Sequence, residues 1–205
     1  MDRLKAIFER QLELHDKFLP IHEASGLGLR CIAGEEPYDI NDQKFQFMVK
    51  SYAWYVVEEL AEAIEAQGQD HLHEELADML HFFIELCLII GIDPYQLIGV
   101  EPYSDGAVDL LELWWIKSPE YDEANMQILT YQFIKRFGIA MECLKNKPWK
   151  QTMVEVDHRK FIENIQLAGF AMVGIFKFHG ISSEQMAAAY FGKASENDSR
   201  IRRGR

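Results

Sequence analysis

The sequence predicts an all-α protein, and three observations support this. Apolar residues recur at helical spacing over long stretches of the chain. Only 6 of the 205 residues are proline, and 48% of the residues are hydrophobic. A chain of this size and composition can bury one substantial core. We therefore expect a single helical domain over residues 1–205.

Six main helices follow from the pattern. Asn41 or Asp42 is suited to cap the second, and Gly91 to Pro94 ends the third. The segment 20–42 is rich in glycine and proline and is expected to be a loop, and 94–120 is expected to be irregular or briefly helical. The expected helices span about residues 3–18, 43–66, 71–90, 122–144, 152–179 and 183–194.

A turn pattern occurs twice in the chain. Leu86–Leu97 and Phe176–Met186 each contain Gly-Ile directly after an apolar helix. This weak repeat predicts two related helix pairs, of which only the first carries acidic pairs.

The two acidic pairs stand on the second and third expected helices. Glu59 and Glu62 are three residues apart, as are Glu75 and Asp78, so each pair lies on one helix face. The short linker makes these helices antiparallel neighbours, so the pairs can converge. Four carboxylates suit Mg²⁺, with Mn²⁺ as a substitute. By spacing alone, solvated helix faces remain the alternative.

Composition excludes several classes of function. The formal net charge is −12 and no basic stripe precedes the C-terminal tail, so duplex nucleic acid is not an expected partner. Cys31, Cys87 and Cys143 lack metal-ligand spacing, which indicates a reducing compartment. The N-terminus does not resemble a signal peptide, and Glu85 and Lys177 interrupt the longest apolar stretches. We expect a cytoplasmic protein without a membrane span.

Polar residues at the two ends of the chain are further candidates. Gln11 falls near the apolar face of the first helix, where a base edge or solvent could satisfy its amide. Lys193, Asn197 and Arg200 recur at three- to four-residue spacing and would share one face of a continuing helix. We expect residues 191–205 to form a basic tail that is mobile without a ligand and closes over one.

Together these features resemble a known family. The acidic motifs Glu59-x-x-Glu62 and Glu75-x-x-Asp78, the latter followed by His81-Phe82, combine with the tail Lys193-x₃-Asn197-x₂-Arg200-x₃-Gly204. The set is similar to the dimeric all-α dUTPases, which belong with the MazG-like nucleoside triphosphate pyrophosphatases. The similarity covers nearly the whole chain.

The resemblance implies an activity, a cofactor and an oligomeric state. It implies a homodimer that uses Mg²⁺ to hydrolyse dUTP to the monophosphate and pyrophosphate. Glu59, Glu62, Glu75 and Asp78 would hold the metal, with Glu59 or Glu62 as the catalytic base and His81 in support. Lys193 and Arg200 would bind phosphates, and Gln11 and Asn197 would contact the base.

Departures from the family pattern leave the base open. Ile201 and Arg205 occupy positions where the family usually has other residues, and Gln67-Gly68-Gln69 offers no aromatic side chain near the base. Substrates such as dCTP or dUDP, or a broader MazG-like house-cleaning role, therefore remain alternatives.

Two other functions compete with this interpretation. Asp78-x-x-His81 and Glu155-x-x-His158 could belong to a carboxylate-bridged di-iron site in a helical bundle. A non-enzymatic module could instead bind nucleotide or protein through Trp114, Trp115 and Trp149. We favour the alternative that these tryptophans are core or dimer-interface residues.

Overall fold

The computed structural model describes residues 2–24, 39–102, 109–119, 126–147 and 149–203, with side chains omitted at 22–24. The described residues form eight helices and no strand, which confirms the all-α class. The helices are α1 (Arg3–Ala24), α2 (Gln43–Glu65), α3 (Gln69–Ile89), α4 (Pro94–Ile98), α5 (Leu110–Lys117), α6 (Met126–Cys143), α7 (His158–Phe178) and α8 (Ser183–Arg202).

Two helix pairs make the body of the bundle. Helices α2 and α3 pack along their length, as do α6 and α7, while α1 and α8 lie against each other and against α3. The shared core contains Phe83 of α3, Trp114 of α5, Phe133 of α6 and Phe161 of α7, all fully buried. Large aromatic side chains from four helices thus join the two pairs through one apolar interior.

The repeated Gly-Ile turn has the same backbone structure at both sites. Gly91 and Gly180 both have positive φ angles, of 75° and 71°. The next residue in each turn donates its N–H back into the preceding helix, to the carbonyls of Cys87 and Phe176. This Schellman arrangement requires a left-handed residue at the glycine position. The structure therefore places corresponding turns at the ends of α3 and α7.

Each of these turns also starts the next helix in the same way. Ile92 and Ile181 are buried, and the residue after each one is an N-cap. Asp93 and Ser182 form capping boxes with Gln96 and Gln185. The capping box satisfies free N–H groups at both helix starts.

Three helix boundaries differ from the expected ones. Helix α1 continues through Pro20 to Ala24, well beyond residue 18. Helix α7 begins at His158 and not near residue 152, because Asp157 caps it. The preceding segment is extended, since Val154 exchanges hydrogen bonds with the side chain of Asn146. Most of the expected loop 20–42, with Cys31, lies outside the described residues.

Helix α8 also extends further than expected, past residue 194 to Arg202. Asp198 accepts ion pairs from Arg10 and Lys17 of α1, which fasten this last part of the helix to the bundle. The predicted helix end was therefore wrong, because charges on α1 that are distant in sequence stabilise the extension. The mobility of 191–205 without nucleotide stays a prediction, and residues 204–205 lie outside the description.

Among the helices that the structure describes, one has the length and composition of a membrane span. This is α7, and 61% of its most apolar window is buried inside the bundle. Its hydrophobic residues pack against α6, α5 and α4. The apolar character of α7 is thus accounted for by its central position in the core.

Candidate metal centre

Three of the four predicted metal ligands meet where α2 and α3 face each other. Glu59, Glu62 and Glu75 can each offer a carboxylate oxygen, and these oxygens all lie within 4.8 Å of one another. The antiparallel pairing of α2 and α3 produces this convergence, as the sequence predicted. A set made only of carboxylate oxygens fits a hard divalent cation such as Mg²⁺ or Mn²⁺.

The fourth predicted ligand, Asp78, is paired with a lysine. Its carboxylate lies 2.6 Å from the ammonium nitrogen of Lys193, which is also 3.0 Å from Glu74. Lys193 is buried, so α8 places a positive charge beside the acidic residues of α3. The predicted phosphate-binding lysine therefore contacts the carboxylate side of the site in this structure.

Burial and the crowding of negative charge raise the pKa values of two carboxylates at this site. Burial, followed by repulsion from Asp78, Glu62 and Glu75, raises the pKa of Glu59 to about 7. Burial also raises the pKa of Asp78, against the opposing effect of Lys193. A divalent cation would relieve this repulsion and favour the ionised carboxylates.

A cavity of about 440 Å³, here called the inner cavity, opens beside these acids. It contains six of the nine predicted site residues. At the acidic end are Glu59 and Asp78, and α8 contributes Asn197 and Arg200. The predicted residues that line it are Gln11, Glu59, Asp78, His81, Asn197 and Arg200.

Aromatic rings form the walls of the inner cavity. Tyr55 of α2 and Phe82 of α3 pack with their ring centroids 5.4 Å apart, and Tyr52 meets Tyr55 edge to face. Phe18 of α1 lines the cavity as well. Such walls can contact the flat ring or the sugar of a ligand whose charged part is held at the acids.

A buried polar network centred on Glu85 lines the cavity about two helical turns along α3 from Asp78. Gln11 donates from Nε2 to Glu85 at 2.7 Å, and its Oε1 accepts from the hydroxyl of Tyr190 at 2.7 Å. His15 contacts the other oxygen of Glu85 through Nδ1. Gln11 is thus held by protein partners, and its remaining N–H is the group that could serve a ligand.

His81 belongs to this network and not to the acidic cluster. Its Nδ1 lies 2.9 Å from the amide oxygen of Gln11, and its Nε2 lies 3.0 Å from the carbonyl of Tyr190. Its ring stacks on Tyr190 with centroids 4.0 Å apart. Burial lowers the pKa of His81 to about 4. The residue positions Gln11 and α8.

Arg200 stands at the opening of the inner cavity. It is exposed, and its guanidinium pairs with Glu196 of the same helix at 2.6 Å. A surface pair of this kind contributes little and exchanges readily for a better anion. Arg200 is therefore available to a charged ligand that enters beside Asn197.

Sequence reasoning missed Glu85 and His15, and it gave Tyr190 no role in the site. Glu85 stands seven residues, or about two helical turns, after Asp78, so it lies on the same face of α3. That spacing was a usable signal, whereas the pairing with His15 depends on how α1 packs on α3. Tyr190 stands next to the tail motif in sequence, but its bond to Gln11 requires the α1–α8 contact.

The predicted di-iron alternative is not supported by the positions of its ligands. Glu155 and His158 are exposed, and Glu155 precedes the start of α7. Neither residue lines the inner cavity. Because both ring nitrogens of His81 face protein oxygens, the two motifs do not form one metal site.

The tryptophans have different environments. Trp114 is fully buried and packs against Phe83, which confirms its assignment to the core. Trp115 is half-buried and donates its indole N–H to the carbonyl of Ile181. Trp149 is 75% exposed. Trp114 is therefore a core residue, and an interface role for Trp115 or Trp149 stays a prediction.

Comparisons of the chain with protein-family models, with curated proteins and with solved structures find no match.

Proposed function

We propose that the protein is a Mg²⁺-dependent nucleoside triphosphate pyrophosphatase of the all-α type. The observation that carries the proposal is the order of groups along one cavity. Along α3 the lining carboxylate of Asp78 comes first, the ring of Phe82 follows about one turn later, and Glu85, which accepts from Gln11, lies about one further turn on. This order corresponds to the phosphates, sugar and base of a nucleotide.

The acidic end suits phosphoryl chemistry once a metal is bound. Glu59, Glu62 and Glu75 would hold the metal, and Asp78 would join them when its pair with Lys193 loosens. The metal supplies charge neutralisation on the phosphate oxygens and orients the reacting groups. Lys193 would then exchange its contact with Asp78 for a phosphate oxygen.

Glu59 is the better of the two candidates for the catalytic base. It lines the inner cavity and is half-buried, whereas Glu62 is exposed and does not line it. A bound divalent cation would favour the ionised form of Glu59, and an ionised carboxylate can accept a proton from the attacking water. We therefore assign proton removal from the attacking water to Glu59, which would also hold the metal, and metal binding alone to Glu62.

The substrate proposed first is dUTP, on the resemblance to the dimeric dUTPases. Gln11 retains one free amide N–H, which can donate to a carbonyl oxygen of a pyrimidine ring. Asn197 can approach the same ring from α8, and Arg200 can reach the outer phosphates. The related substrates dCTP and dUDP, and a broader nucleotide range, remain alternatives within the same chemistry.

A homodimer is part of the proposal, and helix α6 offers a surface for it. Ile128, Tyr131 and Ile134 are exposed and lie three residues apart, along one side of that helix. An exposed apolar stripe of this kind is typical of a protein–protein contact. Light scattering at micromolar concentration tests it, and a monomer mass contradicts it. A cytoplasmic location remains an expectation.

The test of the activity is a panel of deoxynucleoside and nucleoside triphosphates with Mg²⁺, with pyrophosphate and orthophosphate measured separately. The proposal predicts one pyrophosphate per nucleotide consumed and no orthophosphate, with dUTP among the best substrates. Orthophosphate alone, or no product from any nucleotide, would contradict it.

A further inference from the structure

A second pocket lies next to the inner cavity and has a different character. We call it the outer pocket, and its volume is about 560 Å³. It shares Ser51 and Tyr55 of α2 with the inner cavity. Its distinctive lining comes from α2 and from the segment after α6, namely Phe47, Lys50, Trp54, Asn146, Lys147 and Trp149.

Three aromatic rings of the outer pocket are open to solvent. Trp149 is 75% exposed, Trp54 is 60% exposed and Phe47 is 57% exposed. Exposed large aromatic side chains concentrated at one concave site are unusual on a monomer and indicate a binding surface. Indole rings in particular offer a flat face on which another ring can stack.

Positive charge accompanies these rings, although the protein as a whole carries a net charge of −12. Within the described part of the chain, neither Lys50 nor Lys147 has a carboxylate at salt-bridge distance. The ammonium of Lys147 lies 5.4 Å from the ring centre of Trp149. Burial, and next the charge of Lys147, lowers the pKa of Lys50. An anion placed between the two lysines would remove this repulsion.

The frame of the outer pocket is fixed by hydrogen bonds. The backbone N–H of Asn146 donates to the side chain of Gln46 at 2.7 Å. The side-chain amide of Asn146 donates to the carbonyls of Asn41 and Val154, both at 2.8 Å. Lys50 donates to the carbonyl of Leu144. The segment that carries Lys147 and Trp149 is therefore attached to α2 before any ligand arrives, which lowers the entropy cost of binding.

We propose that the outer pocket binds a second ligand of the nucleotide class, with a phosphate between Lys50 and Lys147 and a ring stacked on Trp54 or Trp149. Flat rings and ammonium groups at one site are the features that recognise an anionic aromatic molecule. Among the residues that the structure describes, no carboxylate lines this pocket, so its binding needs no divalent cation. The proposal stands independently of the hydrolytic function assigned to the inner cavity.

The test measures binding in EDTA, where the metal centre is inactive. AMP and dUMP are titrated by calorimetry, with tryptophan fluorescence as a second signal. Adenosine serves as a probe that has the ring but no phosphate, and tripolyphosphate as a probe that has phosphates but no ring. The expected result is saturable binding of at least one monophosphate, at least tenfold tighter than either partial probe.

Substitutions in the lining of the outer pocket test whether the monophosphate binds there. Lys147→Glu and Trp149→Ala should each weaken it about tenfold or more, because one removes a charge contact and the other removes a stacking surface. Lys135→Glu is the matched control, since Lys135 lies over the exposed ring of Tyr131 on α6, outside the pocket. Glu59→Gln should also leave binding unchanged, which separates this result from the fate of the metal centre. Circular dichroism checks that each variant is folded.

Three results would overturn the proposal. The first is the absence of monophosphate binding in EDTA. The second is binding that Lys147→Glu and Trp149→Ala leave unchanged. The third is a dimer in light scattering that Trp149→Ala converts to a monomer, because the exposed rings would then belong to an interface between two copies.

Discussion

Helices α3 and α7 end in the same turn, yet α7 has no carboxylate at the positions where three acidic residues of α3 lie at or near the inner cavity. When Gly91 is aligned with Gly180, Glu75 corresponds to Asn164 and Asp78 to Leu167. In the same alignment, Glu85 corresponds to Gly174. One helix of this matched pair thus carries carboxylates along the cavity, and the other carries neutral and small residues.

The small residues of α7 serve close packing. A Cβ atom at Gly174 would lie 2.9 Å from a side-chain carbon of Leu129, and one at Gly169 would lie 2.9 Å from the ring of Trp114. Interiors packed this closely transmit any change of volume to their neighbours. Under the proposed function, α6 and α7 form the scaffold, and α2 and α3 carry the proposed catalytic and metal-binding residues.

The largest expected effect comes from removing the acids. Glu59→Gln, Glu62→Gln, Glu75→Gln and Asp78→Asn should each lower turnover with Mg²⁺ on the order of 10²-fold or more, because each loses a metal ligand or the base. Glu163→Gln, on the exposed face of α7, is the matched control and should retain full activity. Near-normal rates in two of the four variants would contradict the assignment of the catalytic and metal-binding residues to α2 and α3.

The next effect concerns α8, which packs against α3 of the acidic helix pair and against α1. Arg200→Ala should lower kcat/KM roughly tenfold or more, because an exposed guanidinium at the cavity opening is available to phosphate. Arg203→Ala should change it little, since Arg203 does not line the inner cavity. Steady-state kinetics on both variants measure the difference, and equal losses would contradict the assignment.

Truncation of the tail should now affect stability as well as activity. The sequence predicts that deleting residues 196–205 leaves thermal stability nearly unchanged. Asp198 pairs with Arg10 and Lys17, however, so the deletion removes both ion pairs. We expect a lower melting temperature in the truncated chain, and Asp198→Asn should reproduce part of the decrease. An unchanged melting temperature in both variants would show that these surface pairs contribute nothing.

The scaffold can be tested by filling its close contacts. Gly174→Ala should lower the free energy of unfolding by about 1–3 kcal/mol, because the added methyl group overlaps Leu129. Gly138→Ala on α6 is the control. Within the described chain, no atom outside the adjoining residues of α6 lies within 4 Å of a Cβ added at Gly138. The substitution should therefore be neutral or stabilising by about 0.5–1 kcal/mol. Chemical denaturation measures both, and equal effects would contradict the packing argument.

The smallest expected effect is a pH dependence that arises in the acidic pair. The pKa of Glu59 is about 7 in the folded protein, above its ordinary value of 4.5, because of burial and neighbouring carboxylates. The folded state therefore binds the proton more tightly, so this contribution to stability is present at low pH and lost as the pH rises through 7. Without metal, the wild type should lose more thermal stability than Glu59→Gln between about pH 5 and about pH 8. Parallel curves for the two proteins would contradict the raised pKa.

The sequence predicted the parts of the molecule that depend on local spacing. The convergence of Glu59, Glu62 and Glu75 follows from two spacings and a short linker, and the repeated turn follows from Gly91 and Gly180. These features require only helical geometry and the conformational freedom of glycine.

The parts that were missed depend on contacts of individual side chains, most of them between helices that are distant in sequence. The extension of α8 to Arg202 rests on pairs with α1, and the fixed orientation of Gln11 rests on Glu85 and Tyr190. The late start of α7 rests on the bonds between Asn146 and Val154. None of these contacts corresponds to a residue spacing that could be recognised in the sequence.

The most direct test of the central claim is metal binding itself. Mn²⁺ is titrated into the metal-free protein and its free concentration is followed by electron paramagnetic resonance, for the wild type and for Glu75→Gln and Glu163→Gln. If α2 and α3 hold the metal, the wild type and Glu163→Gln should bind Mn²⁺ equally, and Glu75→Gln should bind it at least tenfold more weakly. Equal binding by all three proteins, or no binding by the wild type, would contradict the assignment of the acidic cluster as a metal centre.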